Sequence, residues 1–160
     1  MDYSQLLLQP NSPIQYQALI FLLGSLTVAS LSDIKRMAAQ TDFTQVWAAF
    51  TAIMFLSDLI SGITGATTLP PFILKWALIM VFTIIASSTR AINISLMDVA
   101  ALTALISTLP PALILAALTT ALIANALLHP LLQRHGQGGA YPFLPTILIT
   151  NLLTLAIINI

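Results

Sequence analysis

Apolar residues fill this chain in six long stretches, each closed by a short polar, proline-bearing or glycine-bearing break. The first stretch covers 14–31 and gives way at Ser32-Asp33-Ile34-Lys35-Arg36. The second covers 43–61 and closes on Ser61-Gly62-Ile63-Thr64-Gly65. Pro70-Pro71 opens the third, 72–88, and Pro110-Pro111 ends the fourth, 94–109. The fifth is 112–128, and a polar loop from His129 to Gly139 leads to the sixth, 143–160. Each holds roughly 16 to 19 residues, near the short end of what crosses a bilayer as a helix, and the fourth is the shortest. Prolines fall where helices start or have just stopped, and glycines where they stop, as helix boundaries require. The pattern predicts an all-α fold: one integral membrane domain over 1–160, a polytopic helical bundle of about six transmembrane helices.

Composition agrees. Hydrophobic residues make up 58% of the chain and charged ones 6%, against roughly 25% charged in a typical soluble domain. Ten formal charges are too few to cover a water-facing surface of this size, so lipid is the expected solvent for the outer faces. The net charge of zero leaves no basic footprint for nucleic acid. Cysteine is absent, which excludes disulfides, thiolate metal sites and cysteine nucleophiles. No basic segment precedes the first apolar run and no small-residue cleavage site follows it, so it is expected to stay as a helix.

Lysine and arginine set the orientation. Lys35 and Arg36 lie between the first two helices, Arg90 between the third and fourth, and Arg134 between the fifth and sixth; Lys75 alone falls on the other side. The richer side is expected to be cytoplasmic, which makes a multi-pass protein of the cell membrane with both termini outside.

That topology singles out two acids. Asp33 ends the first helix and Asp98 begins the fourth, so both are expected near one membrane surface at similar depth. An ionisable group within a membrane helix costs roughly 2.5–3.5 kcal/mol or more at the bilayer centre, and it usually faces the protein interior for a purpose. Two carboxylates held close share one proton, because two adjacent negative charges repel. One can then activate a water while the other protonates a carbonyl oxygen, which is peptide hydrolysis with neither metal nor cofactor. The plainer reading stands beside it: an Asp at a helix end is often a cap or a partner for a nearby cation.

The residues around both acids resemble a known family. Ser30-Leu31-Ser32-Asp33-Ile34-Lys35-Arg36 resembles the first catalytic motif of the type IV prepilin and preflagellin peptidases, which are membrane aspartyl proteases. Ser95-Leu96-Met97-Asp98-Val99-Ala100-Ala101-Leu102 stands where that family has its second, glycine-containing motif, and Ala140-Tyr141-Pro142-Phe143-Leu144-Pro145 is similar to its Pro-Phe-x-Pro sequence opening a later helix. Order and spacing agree over nearly the whole chain. The resemblance implies a catalytic pair, Asp33 and Asp98, cutting the basic leader of a pilin- or flagellin-like precursor on the cytoplasmic side. The small size is most like the minimal, archaeal-type members. Two departures stand out: Ser95 and Met97 replace the glycines before the second Asp, and Ala100 replaces a lysine often found two positions after it.

Other polar residues take secondary readings. Lys35, Arg36 and Asp42 are candidate contacts for the substrate's leader, with helix capping by Thr41 or Asp42 the alternative. Asp58, in the outer half of the second helix, reads as a buried Asp bonded to a neighbouring helix or as a proton or ion site. His129 and His135 lack a third ligand, so no metal is expected. Trp47, Trp76 and Tyr141 are placed as interfacial aromatics, and Gly24, Ser25, Ala29 and Ser30 as a close-packing face. Two other functions remain open: an inactive relative that binds a pilin-like helix without cutting it, and a small transporter or accessory subunit with Asp58 and Asp98 on a cation path.

Overall fold

A computed structural model describes residues 13–36, 41–65, 69–88, 95–133 and 144–158. Among them are six helices and no strand: α1 (Pro13–Arg36), α2 (Thr41–Ile63), α3 (Leu69–Ser88), α4 (Leu96–Ser107), α5 (Pro111–Gln133) and α6 (Leu144–Ile158). Prolines open them where a missing N–H costs no intrahelical bond: Pro13 and Pro111 at first positions, Pro70, Pro71 and Pro145 just inside. α2 stops at a left-handed turn. Gly65 adopts φ 74°, which a side chain would strain, and its N–H reaches the Gly62 carbonyl at 3.3 Å.

Two helices, α2 over Asp42–Ile63 and α3 over Leu69–Ser88, are long and apolar enough to cross a membrane. Their outward faces carry large exposed hydrophobics, among them Ile53, Leu56, Ile60, Ile73, Met80 and Ile84. α4 is the opposite case. Its 12 residues reach only about 18 Å at 1.5 Å per residue, too short to cross a hydrocarbon layer of about 30 Å alone. It packs against α1, α2, α3 and α6, and every residue from Ala104 to Leu109 is buried. The expected fourth span, 94–109, is thus a short central helix. Being apolar on all sides is what a helix wrapped by other helices needs.

The remaining helices close around it. α6 packs against α1, α5 and α4, and α5 also touches α3. The shared core takes Leu22 and Leu26 from α1, Trp47 and Met54 from α2, Ile79 from α3, Leu105 from α4, Ile114 from α5 and Ile147 from α6. Consecutive helices from α1 to α4 run antiparallel. As positions rise along α1 they fall along α2, where Phe21 stacks on Phe50 and Ser25 meets Trp47. Asp58 late in α2 meets Lys75 early in α3, and Thr83 late in α3 meets Thr103 in α4.

Two boundaries and two aromatic placements differ from expectation. α1 continues through the polar segment to Arg36, since Ser, Asp, Lys and Arg are all compatible with a helix once it leaves an apolar layer. α5 runs past Pro130 to Gln133, because a proline near a helix end removes one hydrogen bond without stopping the chain. Trp47 is 0% exposed and Trp76 is buried too, so neither is an interfacial aromatic. Each instead donates its indole N–H inside the bundle, Trp47 to Ser25 and Trp76 to Asp58, both at 3.1 Å. Gly24 lies on an exposed face with nothing near its Cα side, while Ala29 and Ser30 are buried, so the close-packing face of α1 excludes the glycine.

Candidate functional site

The end of the bundle that carries the α1–α2 and α3–α4 connections holds the motif residues. Asp98 is the third residue of α4 and its backbone begins a capping box. Ser95, at φ −70° and ψ 156°, accepts the Asp98 N–H on its hydroxyl at 3.2 Å. In return Asp98 Oδ2 accepts the Ser95 N–H at 3.1 Å and the Ser95 hydroxyl at 2.7 Å. The residue is only 8% exposed. These contacts are those of the plainer reading of Asp98 as a helix-end residue, and they hold its carboxylate in one orientation in the first turn of the central helix.

The capping geometry also shows what backbone the two positions before Asp98 require. Ser95 sits in the ordinary extended region and Met97 in the helix, so neither position needs a left-handed backbone. Serine is among the preferred N-caps, and its hydroxyl adds a bond that glycine lacks.

Asp33 lies in the last turn of α1, at the same end as Asp98. The buried stripe of that helix, Leu19, Leu22, Leu26, Ala29 and Ser30, repeats at helical spacing, and the next position in register is Asp33. The side chains of Asp33, Lys35, Arg36 and His129 lie outside the described residues, as do Arg90, Arg134, His135 and Tyr141 altogether. Asp42 is exposed in the first turn of α2, where its charge complements the helix dipole. Ser30 Oγ and Thr146 Oγ1, in the first turn of α6, are buried and have no hydrogen-bond partner among the described residues.

Beside the start of α4 lies a groove of about 320 Å³, lined by Thr44, Ala48 and Thr51 of α2, Thr83 and Ser87 of α3, and Leu96, Val99, Ala100 and Thr103 of α4. The spacing along α2 and α3 is that of one helix face, so the trough runs with the helix axes. Its hydroxyls are largely spent on its own helices. Thr51 donates to the Trp47 carbonyl at 2.9 Å, Thr83 to Ile79 at 2.8 Å and Ser87 to Thr83 at 2.7 Å. What remains is a surface of methyls and small side chains onto which another apolar helix can pack closely.

Near the opposite end α2 and α3 are joined by a buried ion pair. Lys75 Nζ lies 2.7 Å from Asp58 Oδ2, and Trp76 Nε1 donates to the same oxygen at 3.1 Å. Lys75 is 5% exposed, and Phe55 packs edge-on against Trp76 with centroids 5.0 Å apart. Of the two readings of Asp58, the structure has the one in which it bonds a neighbouring helix. The pairing with Lys75 was legible in principle, since both residues fall near the same ends of consecutive antiparallel helices. It was missed because Lys75 was weighed only as a cation on the opposite side of the membrane. Among the described residues no three His, Cys, Asp or Glu side chains gather where a metal ion would be held.

No family model, curated protein or solved structure matches the chain.

Proposed function

We propose that the chain is a membrane-embedded aspartyl endopeptidase that removes the basic leader of pilin- or flagellin-like precursors at the cytoplasmic face of the cell membrane. One observation supports the reading: the last turn of α1, which contains Asp33, and the first turn of α4, where Asp98 is buried, share one end of the bundle. Two carboxyls there hold one proton between them. The ionised group takes a proton from a water whose oxygen attacks the scissile carbonyl carbon, and the neutral group protonates the carbonyl oxygen. When the tetrahedral intermediate collapses, the C–N bond breaks and the first carboxyl passes its proton to the leaving nitrogen. The second recovers a proton from the hydroxyl that becomes part of the new carboxyl group, so the pair ends with the single proton it began with.

The membrane topology follows from where the cations stand. Lys35, Arg36, Arg90 and Arg134 all fall at the α1–α2, α3–α4 and α5–α6 connections. Lys75 leaves the count on the other side, because it lies within α3 and is neutralised by Asp58. The remaining cations, at the end of α1 and in the other two connections, then stand on one side only, which supports a cytoplasmic orientation for that side. α4 enters from this face and stops part way, shielded from lipid by its neighbours.

A precursor's apolar helix fits the groove of α2, α3 and α4, with its unwound end at the carboxylates. Filling the groove by Ala100→Trp is expected to raise KM by about tenfold with kcat nearly unchanged, the pattern of lost ground-state binding. A variant that cuts with normal KM would remove the groove from the substrate path. For the protease reading itself, the full chain is co-expressed with a pilin precursor bearing a basic leader. Asp33→Asn and Asp98→Asn should each abolish processing while the protein still inserts; full processing in both single variants ends the proposal.

A second reading, a relative that binds such a helix without cutting it, is favoured by the engagement of Asp98 Oδ2 in the capping box. It predicts that the unaltered chain retains uncut precursor on purification.

A further inference from the structure

Helical Ser and Thr side chains commonly return their proton to a carbonyl one turn back. The pattern recurs along this chain: Thr27 bonds Leu23, Ser107 bonds Ala104 and Thr150 bonds Thr146, all at 2.7–2.8 Å. Ser30 departs from it, and Thr146 opens its helix, so that the carbonyls one turn back from it lie outside the described residues. Ser30 and Thr146 are 3% and 0% exposed, and neither hydroxyl has a partner among the described residues. A buried hydroxyl left unpaired costs about 1–3 kcal/mol, and alanine or valine would remove that penalty. Among the described residues, then, two buried hydroxyls stand ready to donate to a group that has yet to be brought against them.

Their placement says which partner. Ser30 stands one turn before Asp33 on the buried stripe of α1. Thr146 stands in the first turn of α6, which packs against both α1 and α4, the two helices that carry the acids. The alternation of antiparallel helices on short connections returns the start of α6 to the end where α1 stops and α4 begins. Resting on the protease reading above, we infer that Ser30 and Thr146 are positioning residues of that site. Their hydroxyls donate to the ionised carboxyl and its water once an extended substrate segment is engaged, and they hold the water for attack. The residues themselves exchange no proton with the substrate.

The test uses the purified full chain in detergent and a synthetic pilin-precursor peptide with a basic leader. A hydrogen bond to a charged group is worth about 1.5–3 kcal/mol, so Ser30→Ala and Thr146→Val should each lower kcat by about tenfold or more while KM stays within about twofold. Thr146→Ser keeps the hydroxyl and should restore most of the rate. Thermal unfolding of the Ala and Val variants should occur at or above the temperature of the unaltered chain, because each loses an unpaired buried hydroxyl. The inference is overturned if kcat is unchanged, if Thr146→Ser is as slow as Thr146→Val, or if the rate falls only in step with unfolding temperature. Asp33→Asn and Asp98→Asn measured alongside separate the two readings. Inactive Asp variants with fully active hydroxyl variants sink this inference alone, whereas fully active Asp variants sink the protease reading and this inference together.

Discussion

Replacing Asp58 by Leu is expected to destabilise the bundle by about 3–5 kcal/mol, while the double replacement Asp58→Leu with Lys75→Met recovers most of that loss. The asymmetry follows from what each change leaves behind. Asp58→Leu strands two donors at once, the ammonium of Lys75, itself 5% exposed, and the indole N–H of Trp76, because both rest on the same carboxylate oxygen. Lys75→Met is milder, since Trp76 still bonds Asp58 and the carboxylate keeps some access to solvent. The double variant has no buried charge and leaves only the Trp76 N–H unpaired, a cost of about 1–3 kcal/mol. Trp76 lies against the pair, so its fluorescence during denaturant unfolding in detergent follows the transition directly. If the double variant is no more stable than Asp58→Leu, the pair is not what joins α2 to α3.

That ion pair also shows why some of the molecule was readable in the sequence and some was not. Apolar stretches broken by prolines gave six helices, because a proline at a first turn and a polar break are local signals. The end of α1 was set five residues early for the same reason: hydropathy falls at Ser32, but nothing in Ser32-Asp33-Ile34-Lys35-Arg36 opposes a helix. The depth of α4 was harder to read. Its apolar residues look like any other span, and only packing against four neighbouring helices reveals that a 12-residue helix forms the centre. Trp47 and Trp76 were misplaced because position near a helix end was taken as position near the interface, whereas each indole has a partner on an adjacent helix. Lys75 was weighed only as a cation on the far side, not as a partner for Asp58. Asp98 was identified at the start of α4, yet its bonds with Ser95 depend on backbone angles that no composition carries. That the hydroxyls of Ser30 and Thr146 have no partner among the described residues was invisible, since a missing hydrogen bond is a property of three dimensions.

Asp98 caps α4, and the proposed function would have it supply half of a proton-sharing pair as well; the two tasks can be taken apart by substitution. Asp98→Asn keeps an oxygen that accepts the Ser95 N–H, so the capping box survives in part and stability should change by less than about 1 kcal/mol. Its carboxamide cannot take or give the shared proton, so cleavage should fall by about 10³-fold or more. Ser95→Ala does the reverse. It removes the hydroxyl that accepts the Asp98 N–H and donates to Oδ2, lowering stability by about 1 kcal/mol, but leaves the carboxylate in place. Cleavage by that variant should stay within about tenfold, because a freed rotamer is lost alignment, not lost chemistry. Ser95→Gly should be gentler still, since glycine as an N-cap costs only a few tenths of a kcal/mol relative to serine. Unfolding midpoints and single-turnover cleavage of one pilin-precursor peptide, measured on all three variants, give the comparison. If Asp98→Asn loses activity only as far as it loses stability, or Ser95→Ala is as inactive as Asp98→Asn, the carboxylate of Asp98 is a cap and the chemistry must be sought elsewhere.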